Sequence, residues 1–597
     1  MLNGKLKCVT TSVLRRKTAF HRAFSSLNII GSGDQSYIHH IGKEPLIYRN
    51  VGQQLQLTAS QYGSNEAIVS CHEDKRYTFQ NLLVEVDRVA AGLRKLGLQR
   101  GDAVGLWSPN YVHWYISMLG AARAGLVSVG INPAYQNSEM EYCLKKVDIK
   151  AIIAPESFKS TNYYEILRDI CPDIAHAEPG RIKSDKFPHL RAVIINNAAS
   201  QERLKGALSF NELLDMGSAE EQAQIGKLQH TIQPESPCNV QFTSGTTGNP
   251  KAALLSHLNF VNNGMHVANR NELEGERICV QVPLFHAFGV GITIMAAMCK
   301  GAAMVLPAAG FAPADSLQAI SKERCTVIHG TPTMYVDLIA AQRELAVPLG
   351  KIKKAITGGA TVSPQLILDV KQVLGVERMH SVYGLTETTA VVFQSIPGEA
   401  EDCVLDSVGH VTDHIEIKVV NEQGHLVPFG QPGELCVRGY LTMLGYHGDA
   451  EKTEEIYGSD KWLHTGDKFI LDRNGYGRIV GRIKDMIIRG GENIFPKEVE
   501  DFLNGHPQVV EAHVIGVPDE RLGEELCAFV RLEAGVDPKT FTRDSLKAYS
   551  KGKIAHFKVP FYVVPVDSFP KTTSGKVQKF KLLPQYTDKI NTQALNA

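Results

Sequence analysis

Two hydrophobic periods alternate along the first part of the chain. Residues 83–96 carry apolar side chains at helical spacing and stop at Gly97, and Ala103–Trp107 is an apolar run of strand length. Residues 111–124 are helical again, stopped by Gly125, and Val127–Ile131 is the next strand. Residues 151–154 and 192–195 continue the series. Strands alternating with helices predict a largely parallel sheet with helices on both faces. Asn132-Pro133 breaks the chain, and residues 156–188, rich in charge and proline, read as a surface connection.

The pattern changes further on. Residues 239–242 read as a strand end and residues 257–269 as a helix. Residues 326–328 and 354–357 read as strands, ended by His329-Gly330-Thr331-Pro332-Thr333 and by the glycine pair Gly358-Gly359. Residues 433–439 and 445–446 suggest a small barrel-like β subdomain. Residues 498–503 and 544–550 read as helices, and residues 509–517 and 527–532 as strands, which makes a last, separate unit. The expected fold is α/β. A large N-terminal domain, residues 45–481, holds the parallel sheets and the β subdomain. A small mobile α/β domain, residues 482–590, follows. A chain of 597 residues is too long for one hydrophobic core, which agrees with that division.

Lysine plus arginine and aspartate plus glutamate both number 63, so no global basic field marks a nucleic-acid partner. The 11 cysteines show no Cys-x-x-Cys spacing, which argues against structural zinc and a disulfide scaffold. Residues 278–299 form the most apolar stretch. Gln281, Pro283, His286, Gly289 and Gly291 interrupt it, so a buried strand, loop and helix is expected rather than a membrane span. Residues 1–27 carry Lys5, Lys7, Arg15, Arg16, Lys17 and Arg22, and no acid appears before Asp34. Val13, Leu14, Phe20 and Phe24 can share one helical face. That composition is expected of a mitochondrial transit peptide, with a disordered basic tail as the alternative.

The candidate chemistry centres on Thr243, Ser244, Gly245, Thr246, Thr247, Gly248, Asn249, Pro250 and Lys251. Small residues let backbone N–H groups close on an oxyanion, the hydroxyls add donors, and the lysine adds charge. The run is not a Walker-type P-loop, because Pro250 precedes the lysine and Ala252 follows it. Taken alone, it also fits a surface loop with no ligand. Three further clusters follow: Tyr383-Gly384-Leu385-Thr386-Glu387, Asp467 with Arg482, and Gly575-Lys576. Taken singly, Thr386-Glu387 also fits a helix start, and Arg482, Lys484 and Lys576 fit surface charges.

In this order and spacing the four clusters resemble the signatures of the adenylate-forming superfamily, which includes acyl-CoA synthetases, peptide-synthetase adenylation domains and luciferases. The resemblance runs from about residue 45 to about residue 585. Within the superfamily, residues 484–496, residues 552–558 and the basic N-terminus are similar to the mitochondrial medium-chain acyl-CoA ligases. The resemblance implies ATP, magnesium and coenzyme A as cofactor and co-substrates, with a fatty acid as the substrate. Residues 243–251 and Thr386 would hold phosphates, Glu387 magnesium, Tyr383 and Gly359 the adenine, and Asp467 and Arg482 the ribose side of the nucleotide. Phe285, His286, Gly358 and Gly384 would line the acyl pocket, and Lys576 would be the catalytic lysine. Lys484 would be the domain hinge, with Gly490, Gly491 and Asn493 facing the pantetheine path. A mitochondrial matrix location and no transmembrane segment are implied as well. Another carboxylate or another acceptor, such as a carrier-protein thiol, stays open at this point. Ala252 departs from the usual glycine, which matters if the backbone there needs a positive φ.

Overall fold

The computed structural model describes residues 29–197, 203–243, 250–360, 362–490, 492–519, 521–551 and 553–595. The expected transit segment and the tip of the glycine-rich loop lie outside the described residues. Two mixed sheets dominate the larger part. The first runs in the order Leu208–Ser209, Ala192–Asn196, Ala151–Pro155, Ala103–Trp107, Val127–Ile131, Pro237–Thr243, Lys251–Ser256, Gly445–Tyr446. It is parallel as far as Pro237–Thr243 and antiparallel beyond. The second has a parallel centre formed by Val376–Tyr383, Ile352–Thr357, Val327–Gly330, Arg277–Val280, Ala303–Leu306 and Glu66–Ser70.

The helix Val112–Arg123 is buried at every position, as its apolar sequence on all faces requires. It belongs to one continuous core with Val104 and Ile153 of the first sheet and Ile68, Val280 and Leu306 of the second. A charge inside such a core is tolerated only when paired. Arg123 meets this by donating to both oxygens of Asp87 and, over 3.0 Å, to the Gly52 carbonyl.

The small β subdomain is a six-stranded antiparallel sheet: Ile29–Ser32, Gln35–His40, Ile415–Val420, Pro432–Gly439, Leu463–Leu471, Gly477–Arg482. After Arg482 a 3-10 turn, Ile483–Asp485, leads into the last sheet. There Gly523–Leu532 pairs with Val509–Asp519, Ile487–Arg489 and Tyr562–Pro565.

Two local readings need correction. Residues 156–188 are not a plain surface connection. They hold the helix Tyr163–Ile170, whose Tyr163, Leu167 and Ile170 are buried, with the Tyr163 ring 4.6 Å from that of Trp107. Charged and proline-containing flanks hid a short apolar stripe. Residues 331–333, read as a strand end, instead start a helix, Pro332–Leu345, with Thr331 at its N-cap and proline in its first turn. Among the described residues no helix is long and apolar enough to cross a membrane. The stretch 278–299 resolves into a strand, a π-helical turn Phe288–Ile294 and the helix Met295–Lys300.

Candidate active site

The parallel strands of both sheets release their C-terminal ends toward one region. Ligands bind there in open α/β sheets, because loops and unpaired backbone groups gather beyond the strand ends. Val376–Tyr383 delivers Tyr383, Ile352–Thr357 delivers Gly358 and Gly359, and Pro237–Thr243 delivers Thr243. Thr243 lies opposite Lys251 across an antiparallel hairpin. Tyr142 donates to the Pro250 carbonyl over 2.9 Å, which fixes the base of the hairpin. Ser244, Gly245, Thr246, Thr247, Gly248 and Asn249 lie outside the described residues. Ala252 is fully buried in regular strand pairing with Phe242, so its methyl group needs no left-handed backbone.

Asp467 and Arg482 face each other on adjacent strands. Arg482 Nε lies 3.0 Å from Asp467 Oδ1, and Tyr383 donates its hydroxyl to Asp467 Oδ2 over 2.6 Å. Burial raises the Asp467 carboxyl above its ordinary range, against the pull of Arg482 and Tyr383. Tyr383 is itself buried, its ring tilted against Phe393 and Phe469, so it braces Asp467 as well as closing the pocket wall. A second brace lies behind Asp467. Glu434 accepts from the Gly466 backbone over 3.1 Å and lies 2.9 Å from His464 Nδ1, beside the Cys436 thiol. Cys436 and Glu434 together push the His464 imidazole up to about 10. Gly466 has φ +69°, the conformation that turns the chain so Asp467 points inward.

Glu387 lies in the 3-10 turn Thr386–Thr388. Tyr446 donates to Glu387 Oε1 over 2.7 Å, and Lys251 Nζ sits 4.6 Å over the Tyr446 ring. Lys251, Tyr446 and Glu387 are therefore one connected group, worth holding together because the cation–π contact and the hydrogen bond share a ring. Nothing in the spacing of Gly445-Tyr446 pointed to this role. A carboxylate whose second oxygen meets no donor among the described residues suits a hard divalent ion that takes its other ligands from phosphate and water.

Lys576 arrives from the C-terminal domain. Its backbone N–H donates to Thr572 Oγ1 over 3.0 Å and its carbonyl accepts from the Thr572 N–H over 2.7 Å, which closes a tight loop. Gly575 in that loop has φ +83°, and a side chain there would meet Thr331 Oγ1 at 2.7 Å. Thr333 donates to the Gly575 carbonyl over 2.8 Å, and Thr573 donates to Asn132 Oδ1 over 2.8 Å. The lysine stem passes Gly359, where an added Cβ would lie 3.7 Å from Lys576 Cε. Burial and the charge of Arg482 lower the Lys576 pKa, opposed by Glu387 and Asp467. A buried cation among mixed charges is a site prepared for an anion.

The expected acyl-side residues divide in two. His286 lies close enough to Lys576 to feel its charge. Burial first, and Lys576 second, lower its imidazole to about 3, so it is neutral at ordinary pH. Its Nδ1 accepts from the Phe288 N–H over 3.2 Å. Phe285 turns its carbonyl toward Gly130, where a Cβ would meet it at 2.7 Å. Gly358 and Gly384 answer to the protein's own packing. A Cβ would lie 2.4 Å from Val382 Cγ2 at the first and 2.2 Å from the Ala390 carbonyl at the second. Gly359, with φ +82°, is the glycine that faces the chamber.

Lys484 sits in the turn after Arg482, its pKa lowered by burial and by Arg482. Gly490 and Asn493 belong to the edge hairpin of the small sheet, a different part of the C-terminal domain from the Lys576 loop. Gly491 lies outside the described residues. Thr331, Thr333, Asn132 and Tyr446 are site residues to which the sequence motifs gave no role. Their importance depends on which loops meet, and spacing does not record that.

Residues 55–447 match the family model of the AMP-binding enzymes and residues 498–576 that of the AMP-binding enzyme C-terminal domain. The chain is 42% identical to the medium-chain acyl-CoA ligase ACSF2, mitochondrial, of Homo sapiens, over 98% of each chain. It is 36% identical to a putative acyl-CoA synthetase of Bacillus subtilis, over 92% of this chain and 98% of that one. Among solved structures it resembles an anthranilate CoA ligase in complex with anthranoyl-AMP, with a TM-score of 0.79 and 26% identity, covering 92% of this chain and 98% of that one. It also resembles ATP-bound MatB from Rhodopseudomonas palustris, with a TM-score of 0.76 and 26% identity, covering 91% and 100%. With the two family models matched in series, the first over residues that include Lys251 and Glu387 and the second ending at Lys576, the chain belongs to the adenylate-forming AMP-binding enzyme family.

Proposed function

We propose that the chain is an ATP-dependent acyl-CoA ligase of the mitochondrial matrix that activates a medium-chain fatty acid through an acyl-adenylate. The observation that carries this reading is the convergence of Lys576, from the C-terminal domain, on Asp467, Arg482, Glu387, Gly359 and His286 of the large domain. The names of the mitochondrial relatives support the acyl class and the compartment, as does the base-rich, acid-free composition of residues 1–27.

A carboxylate oxygen attacks the α-phosphorus of ATP. The new O–P bond forms as the bond to the β-phosphate oxygen breaks, and pyrophosphate leaves. Charge develops on phosphate oxygens, so positioned cations are the main requirement. Lys576 faces the reacting carboxylate and α-phosphate, and Lys251 and Thr243 stand at the phosphate loop. Asp467 accepts the ribose hydroxyls, held in place by Tyr383 and Arg482. Glu387 would hold magnesium, which when bound neutralises phosphate charge. Neutral His286 closes the acyl end without adding charge. In the second half-reaction the thiol of coenzyme A attacks the acyl carbonyl. The C–S bond forms, the C–O bond to AMP breaks, and the thiol proton is released. Lys576 must withdraw for the thiol to enter, and we assign that movement to rotation of the C-terminal domain about Lys484, which brings Gly490 and Asn493 to the entrance.

The test is a carboxylate panel, from acetate to long-chain fatty acids, read by AMP and acyl-CoA formation. A maximum at medium chain length with strict coenzyme A dependence is the expected result. Adenylate formation without any thioester would overturn the choice of acceptor.

A further inference from the structure

Among the described residues, the ion pairs that join the C-terminal domain beyond the hinge to the large domain converge on one residue. Asp337 lies on the helix Pro332–Leu345, one turn beyond Thr333. Its Oδ1 is 3.3 Å from Arg531 Nη1 and its Oδ2 is 3.4 Å from Lys571 Nζ. Arg531 lies on the central strand Gly523–Leu532 of the small sheet, and Lys571 is five residues before Lys576. One carboxylate of the large domain thus ties down both the body of the small domain and the loop that delivers Lys576. The three side chains are 22–30% exposed, so the pairs are partly desolvated but still within reach of salt. Two neutral hydrogen bonds also cross the domains at this loop, from Thr333 to the Gly575 carbonyl and from Thr573 to Asn132.

The pairing is asymmetric in a useful way. Arg531 has a second carboxylate within its own domain, since Glu511 Oε2 lies 3.4 Å from Arg531 Nη2. When the domain rotates away, Arg531 keeps an anion. Asp337 is the partner that only this arrangement supplies. Its charge therefore acts on the balance between domain orientations more than on the stability of either domain, because a contact shifts an equilibrium only by its difference between the two states.

We propose that Asp337 is an electrostatic latch that selects the adenylate-forming orientation of the C-terminal domain, a positioning residue that acts on catalysis through the Lys571–Lys576 loop. The inference rests on the two-step reading above and adds the residue that sets the balance between the steps.

The experiment compares wild type, Asp337→Asn and Asp337→Lys in two separate assays: pyrophosphate release on adenylate formation, and acyl-CoA formation from supplied acyl-adenylate. Asp337→Asn should slow adenylate formation about two- to fivefold, the scale of a lost, partly exposed ion pair, and Asp337→Lys should slow it further. Thioester formation should stay at the wild-type rate or rise in both variants. Raising salt should slow adenylate formation more in wild type than in Asp337→Asn, since screening removes from the wild type a contact the substitution has already removed. Thermal melting of each variant near the wild-type temperature shows that folding is not what changed. Equal loss in both half-reactions, or unchanged adenylate formation in Asp337→Lys, overturns the latch. Absence of either half-reaction in the wild-type protein would overturn the acyl-CoA ligase reading instead, so the two failures are distinguishable.

Discussion

Tyr383 and Asp467 are joined by a 2.6 Å hydrogen bond that links the end of a parallel strand in the second sheet to the antiparallel subdomain. The bond makes one wall out of two separate pieces of fold. Asp467 is 3% exposed and its carboxyl is raised by burial, so its charge depends on the partners it keeps, Tyr383 and Arg482.

Asp467→Ala is expected to weaken ATP by about 1.5–3 kcal/mol, the size of a lost hydrogen bond to a charged acceptor. Tyr383→Phe should weaken ATP less and move the loss of ATP binding on acidification to higher pH, because one group that stabilises the carboxylate is gone. Titration of ATP binding by calorimetry between pH 5 and pH 8 checks both. If only fatty-acid binding falls in Asp467→Ala, the ribose assignment is wrong.

Glu387→Gln is expected to raise the magnesium concentration needed for half-maximal pyrophosphate exchange, because an anionic ligand becomes neutral. Tyr446→Phe should change the same requirement in a smaller degree, since its hydroxyl orients Glu387 and its ring faces Lys251. Identical magnesium curves for wild type and Glu387→Gln would remove Glu387 from the metal site.

How much of this site could be read from the chain depends on the residue. The strands Ala103–Trp107 and Val127–Ile131 stand where the apolar runs put them, because continuous apolar stretches of that length are buried parallel strands. Lys251, Glu387, Asp467 and Lys576 were visible because each sits in a short motif of glycine, hydroxyl and charge. Tyr446 and Thr331 were not, because each has only its place in the tertiary fold to recommend it. The helix Tyr163–Ile170 was missed because proline and charge flank it, while Tyr163 reaches across to the Pro133 carbonyl over 3.1 Å. Gly358 and Gly384 were legible as glycines that need close approach. What approaches them is the protein's own Val382 and Ala390, and only coordinates show that.

Buried neutral histidines should make the protein lose stability as pH falls below about 6.5. Burial lowers His113, His266 and His380 to about 4 and His257, His286, His329 and His410 to about 3. Each folded value lies below the unfolded value of about 6.5, so the unfolded chain binds protons first as pH falls. Their contribution is present above pH 6.5 and is lost progressively below it. Melting temperatures measured from pH 7.5 to pH 5 should fall steadily across that window. A flat profile there would show that these imidazoles are accessible to protons in the folded state.

The two lysines that divide the reaction give the last prediction. Lys576 touches the chamber only while its loop is held by Thr333 and Asn132, so its charge belongs to the first half-reaction. Lys576→Ala is expected to slow adenylate formation about 10²-fold or more, the cost of a lost charge contact to the transition state. Thioester formation from supplied adenylate should remain near wild type, because the lysine has left the chamber by then. Lys484 lies at the turn between the two domains, where rotation needs freedom in φ. Lys484→Pro fixes that angle and should leave adenylate formation largely intact while thioester formation collapses. Measuring both half-reactions in both variants gives four rates, and the expected pattern is crossed: each variant loses the half that the other keeps. Equal loss of both halves in both variants would make Lys576 and Lys484 structural charges and leave the C-terminal domain fixed in the orientation described.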